Sequence, residues 1–206
     1  MESNQSTEQL ILEIAEELFL DKGFALTTTT EIAKRAGCNQ AMVHYYFRTK
    51  ENLFEKLFEK KFVLFTSALS VNPNDNSTLK EKIEYLIYKH LDVISENPKL
   101  PFLVINELTT NPTRFENILK KLKEQSILIL SSLENELNKE IAAGRIRQVT
   151  AFDLVLNILS LNIFMFLAKP ILVGIRNFSK EEYDEFVFKR RKEIFTTIWG
   201  GISLNH

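Results

Sequence analysis

The sequence predicts an all-α fold: an N-terminal three-helix head carrying a helix-turn-helix, then a C-terminal bundle of five or six helices. Three observations carry this expectation. Apolar residues recur at helical spacing along most of the 206 residues. Only 6 Gly and 5 Pro interrupt the chain, which favours long helices over turn-rich sheet. No segment reads convincingly as a strand.

Each element has its own signal. Helix 1 spans roughly Ser6 to Lys22, with Ile11, Ile14, Ala15, Leu18 and Phe19 on one side and Gly23 as its stop. Thr28 caps helix 2, and Glu31 three residues on makes a T-x-x-E capping box. Ile32, Ala33 and Ala36 give that helix a small apolar face, and Gly37 supplies the left-handed residue that ends it. Asn39 caps helix 3, Gln40 to Phe47. Val43 and Phe47 lie four apart and face inward; Gln40, Ala41, Met42, His44 and Tyr45 are left outward. Helix 4 begins near Lys50 and runs to about Leu69, with Leu53, Phe54, Leu57, Phe58, Phe62 and Phe65 on or beside one stripe. The segment VNPNDNS, residues 71–77, reads as a loop. Helix 5 runs from about Thr78 to Glu96 and is stopped by Pro98, and helix 6 follows Pro101 to about Thr110. Helix 7 opens at Pro112 and ends at Ala143 before Gly144. Helix 8 covers about Ala151 to Ala168 and is broken by Pro170. Helix 9 starts on a second capping box, Ser179 to Glu182, and reaches Trp199.

A helix, a Gly-containing turn and a second helix form the layout whose second helix enters the major groove of DNA. The formal net charge of −1 does not suggest a nucleic-acid binder, but residues 27–50 carry Lys34, Arg35, Arg48 and Lys50 against Glu31 alone, a local net of +3. A small basic patch on a near-neutral body suits recognition by sequence more than by bulk charge.

The stretch from about Leu10 to Phe58 resembles the DNA-binding domain of the TetR/AcrR family of transcriptional regulators. Ala15, Phe19, Gly23, Ile32, Ala33, Ala36, Gly37, Tyr46, Phe47, Lys50, Leu53 and Phe54 carry the resemblance. Cys38 and Met42 depart from it: an aliphatic residue is usual at the first position and a small or hydroxyl residue common at the second. The resemblance implies a DNA-binding domain over residues 1–50 and a helical regulatory domain over 51–206. It implies Gln40, Ala41, Met42, His44 and Tyr45 as groove-facing residues, with Thr28, Thr29, Tyr46 and Lys50 on phosphate and Thr30 near a base. Gln40 can pair with adenine N6 and N7, and the N-terminal amides of helices 2 and 4 favour anions.

The resemblance also implies a homodimer on double-stranded operator DNA, held through the helices near 151–168 and 179–199, and a small-molecule effector. Two heads would read a palindrome whose half-sites lie roughly 34–36 Å or more apart. Thirteen of the 16 Phe lie beyond residue 50, enough for an apolar pocket with a few polar anchors. Phe62, Phe65, His90, Phe102, Asn106 and Phe166 are the candidate ligand contacts. Most members of the family repress, so a repressor is expected, with an activator of the same fold or a redox sensor through Cys38 as alternatives.

Other classes find little support. There is no HExxH, Glu-x-x-His pair, P-loop or nucleophile elbow, so no catalytic residue is named and no enzyme is expected. Three His and one Cys on separate segments do not make a zinc site, and no metal or cofactor is expected. A single cysteine excludes an intrachain disulfide and fits a reducing cytoplasm. The most apolar run, residues 154–168, is shorter than the ~20 residues a bilayer requires and holds Asn157, Ser160 and Asn162, so it reads as a buried helix with no membrane partner.

Overall fold

The computed structural model describes residues 6–67, 76–110 and 112–204. These form α1 (Thr7–Leu26), α2 (Thr29–Arg35), α3 (Gln40–Phe47), α4 (Lys50–Ser67), α5 (Leu79–Glu96), α6 (Leu100–Thr110), α7 (Pro112–Ala142), α8 (Ala151–Leu167), α9 (Lys169–Arg176) and α10 (Lys180–Ile202). The expected end of helix 4 at Leu69 and most of the 71–77 loop lie outside the described residues.

Gly23 breaks the first helix as expected, at φ 78 and ψ 171, and one short turn follows to Leu26. A correction to the sequence reading concerns the break at Pro170. Pro170 ends α8 but also starts a helix of its own. Proline is tolerated in a first turn because its missing N–H is unpaired there anyway, and Asn177 at φ 51 closes the resulting α9. Helix 6 likewise begins at Leu100, with Pro101 inside its first turn.

The apolar residues bury into two cores. The first gathers Ile11, Leu18, Phe19, Ile32, Val43, Phe47, Phe54 and Phe58 from α1 to α4, and adds Ile94, Leu100, Leu103 and Val104 from α5 and α6. Phe54 sets its edge against Phe19 and Phe24, with ring centroids 5.0 and 5.1 Å away. The second core gathers Ile83, Leu86, Ile87, Leu91, Leu137, Leu154, Ile158, Tyr183, Ile194 and Ile198 from α5, α7, α8 and α10. Helix α8 joins them: Leu159 and Ile163 pack on the first core, Leu154 and Ile158 belong to the second, and Phe166 touches both. The head is therefore tied to the body by packing. Ion pairs reinforce the joint, with Lys61 of α4 2.6 Å from Glu16 of α1 and donating to Asn97 beyond α5 at 3.0 Å.

His90 and Asn162 are fully buried between α5 and α8. Asn162 Nδ2 donates to His90 Nδ1 at 3.0 Å and to the Ile87 carbonyl at 3.1 Å. Among the described residues no single helix is long and apolar enough to cross a membrane.

Burial pushes the His90 imidazole down to about 4, from an ordinary 6.5. The unfolded chain takes up this proton below pH 6.5 while the folded chain refuses it. Stability is thus complete above pH 6.5 and lost as pH falls from there to about 4. The shift is worth about 3 kcal/mol. Urea unfolding at a series of pH values should show that loss, and His90→Gln should remove most of it.

Candidate nucleic-acid interface

The outward face of α3 is placed by a lock at the end of α1. Thr27 is fully buried, and its hydroxyl stands within bonding distance of the Gly23 and Leu18 carbonyls, at 2.9 and 3.2 Å. Lys50, opening α4, donates its ammonium to the carbonyls of Phe24 and Thr27, both at 2.9 Å, and stands 4.1 Å from the Phe24 ring centre. These bonds join residues 23 and 26 apart in sequence and fix where α2 begins.

Helix α2 is capped as expected at one side only. Thr28 Oγ1 accepts from the Glu31 N–H at 3.2 Å. The second half of the expected capping box is absent, because the Glu31 carboxylate turns to Lys22 of α1, with Arg35 4.0 Å away. At its far end Gly37, at φ 66, closes a Schellman motif: Gly37 N–H reaches the Lys34 carbonyl and Cys38 N–H the Ala33 carbonyl, at 3.3 and 3.0 Å. Cys38 is half-buried and packs against the head core. Asn39 Oδ1 accepts from Met42 N–H at 2.9 Å and starts α3.

Val43 and Phe47 anchor α3 in the core at 1% and 4% exposure. Gln40, Ala41, His44 and Tyr45 face solvent together, Tyr45 at 70%. Thr28 and Thr30 are exposed beside them and Thr29 is half-buried. Met42, expected outward, and Tyr46, expected on phosphate, are half-buried against the head core, so part of each side chain is packing. Lys50 has a structural duty besides its expected place on phosphate. An ammonium has three protons, and two are committed to backbone carbonyls. Nothing in the sequence signals that bond, because both acceptors are main chain and distant.

Arg48, which is not among the expected contacts, shapes this face. It ends α3 at φ 65 and ψ −57, the centre of a tight three-residue turn in which Thr49 N–H donates to the Phe47 carbonyl at 2.7 Å. Its carbonyl accepts from His44 Nδ1 at 2.9 Å. The readable signal was positional, the residue immediately after the last helical Phe.

The candidate ligand contacts are scattered in character. Phe62 is half-buried against the head core, its ring 6.0 Å from Phe58. Phe166 is half-buried between the two cores and Asn106 half-buried on α6. His90 is engaged with Asn162. Phe102 points outward at 63% exposure. The Phe65 side chain lies outside the described residues. Among the described residues no three His, Cys, Asp or Glu side chains are grouped to hold a metal ion.

Residues 11–57 match the profile of the family described as "Bacterial regulatory proteins, tetR family". The chain is 32% identical over 139 residues to the "Probable HTH-type transcriptional regulator YttP" of Bacillus subtilis, covering 66% of this chain and 67% of that one. It is 25% identical over 138 residues to the fatty acid metabolism regulator protein of the same species, covering 67% and 70%. Among solved structures, the transcriptional regulator FadR from Bacillus subtilis, in complex with stearoyl-CoA, shares the fold with a TM-score of 0.67 at 18% identity, over 93% of this chain and 97% of that one. FadR from Bacillus halodurans aligns over 100% of both chains with a TM-score of 0.64 at 20% identity.

Lys50→Ala removes two charge-assisted bonds and leaves the Phe24 carbonyl with only the Thr27 N–H. It should cost the fold ~2 kcal/mol, beyond any loss of DNA affinity. Thermal and urea unfolding without DNA check this; unchanged stability would return Lys50 to a purely surface role.

Proposed function

Because the chain belongs to the TetR family of DNA-binding transcriptional regulators, we propose that it is a dimeric repressor that binds a palindromic operator and is released by a small molecule. The observation that carries this reading is the outward face of α3. Gln40, Ala41, His44 and Tyr45 stand exposed on a helix whose other side is locked into the head core. In this reading residues 1–50 read DNA, supported by the first turns of α4, and residues 51–206 sense and dimerise. Gln40 meets a base edge with His44 beside it, Thr30 lies near a base, Ala41 and Met42 meet a thymine methyl, and Thr28, Thr29, Tyr45 and Tyr46 position the helix on the backbone.

The dimer rests on α8. Phe152, Leu156 and Phe164 fall on one stripe of that helix and are exposed, Phe152 at 64% and Phe164 at 66%. A partner α8 and α10 pairing there on a two-fold axis would cover them and set the spacing of the two heads. Helix α8 packs on both cores, so movement in the body reaches the head through it, as release by an effector requires. The effector carries an apolar chain in this account, and an acyl-CoA thioester is the first class to test. The Phe-rich body supports this, as do a relative named for fatty acid metabolism and a fold neighbour in complex with stearoyl-CoA.

Two experiments test the proposal. Selection from random DNA should return an inverted repeat, and Gln40→Ala should relax one base position in each half-site by about tenfold. Leu156→Glu should shift sedimentation at micromolar concentration from dimer to monomer and abolish tight operator binding. A parent that sediments as a monomer contradicts the two-fold arrangement.

A further inference from the structure

The exposed polar groups of the reading face are bonded to one another, and their donor and acceptor accounting is closed on one side. Arg48 offers His44 a carbonyl oxygen, which only accepts, so the neutral imidazole must carry its proton on Nδ1 (Nδ1 to O, 2.9 Å). His44 Nε2 is then an acceptor. The only group of Gln40 that can pair with it is the amide NH2, and Gln40 Nε2 stands 3.4 Å away. The same Nε2 donates to Thr29 Oγ1 at 2.9 Å. The tight turn at Arg48 thus sets the His44 tautomer, and the tautomer sets which way the Gln40 amide faces.

We infer that Thr29 and His44 determine base specificity through Gln40, by holding its NH2 so that only Oε1 is offered to the major groove. This rests on the placement of Gln40 in the groove. It changes what Gln40 can read. A free glutamine pairs with adenine N6 and N7 together by accepting and donating. A glutamine whose two amide protons are committed to Thr29 and His44 only accepts. It selects a base with an exocyclic amine in the major groove, adenine through N6 or cytosine through N4. It disfavours guanine and thymine, which offer it acceptors there. Thr29 and His44 are positioning residues in this respect, and Thr29 does so from a different helix.

The test is operator selection with the full-length protein, read at the position that Gln40→Ala relaxes. The parent and Thr29→Ser, which keeps the hydroxyl, should both enrich adenine or cytosine there. Thr29→Val, which keeps the shape and loses the acceptor, should admit guanine or thymine and reduce the discrimination by about tenfold. His44→Leu should do the same. Preferences at positions away from Gln40 and His44 should stay within about twofold, which a general loss of folding would not produce. If Thr29→Val retains the parent preference while Gln40→Ala loses it, the amide is not held and the inference fails. If Gln40→Ala alters no position, Gln40 does not read a base, and the placement that the inference rests on fails with it.

Discussion

The bonds around Thr27 and Lys50 are the constraint on which the reading face depends. A helix of seven residues and one of eight have little stability alone, since each must be nucleated before it gains a bond. Here the chain leaves α1 through Gly23, buries Thr27 completely, and has its carbonyls held by the ammonium that opens α4. Entry to α2 and exit from α3 are therefore fixed by the same pair of long helices. Val43 and Phe47 then seat α3 on the core that α1 and α4 provide. Everything exposed on α3 inherits its position from that closure.

The charge distribution follows the same logic. The whole chain has a formal charge of −1, so it gains little from general attraction to DNA. Recognition must come from a rigid face with defined donors and acceptors. The chain of bonds from Thr29 through Gln40 and His44 to Arg48 supplies that rigidity on the solvent side. The core supplies it beneath. Ordering these side chains before DNA arrives lowers the entropy cost of binding.

Much of this was legible in the sequence, and the rest was hidden for identifiable reasons. Caps and helical periods are local, so Asn39, Ser179, Gly37 and the apolar stripes placed most elements within a few residues. Readings failed where a residue answered to a distant partner. Glu31 left its expected cap for Lys22, and the bonds of Lys50 to carbonyls more than twenty residues away had no local signal. Pro170 was read as a stop because its cost inside a helix is well known, but its tolerance in a first turn allowed α9. Among the ligand candidates, composition located an apolar body, but it could not separate Phe62 and Phe166, which pack inward, from Phe102, which does not.

The central claim is that α3 enters the major groove. Methylation interference on a selected operator tests it most directly, because N7 of guanine lies in the major groove and N3 of adenine in the minor groove. The account requires that N7 methylation within each half-site blocks binding, in two patches about one helical turn or more apart. Interference confined to adenine N3, or none within the half-sites, would contradict it.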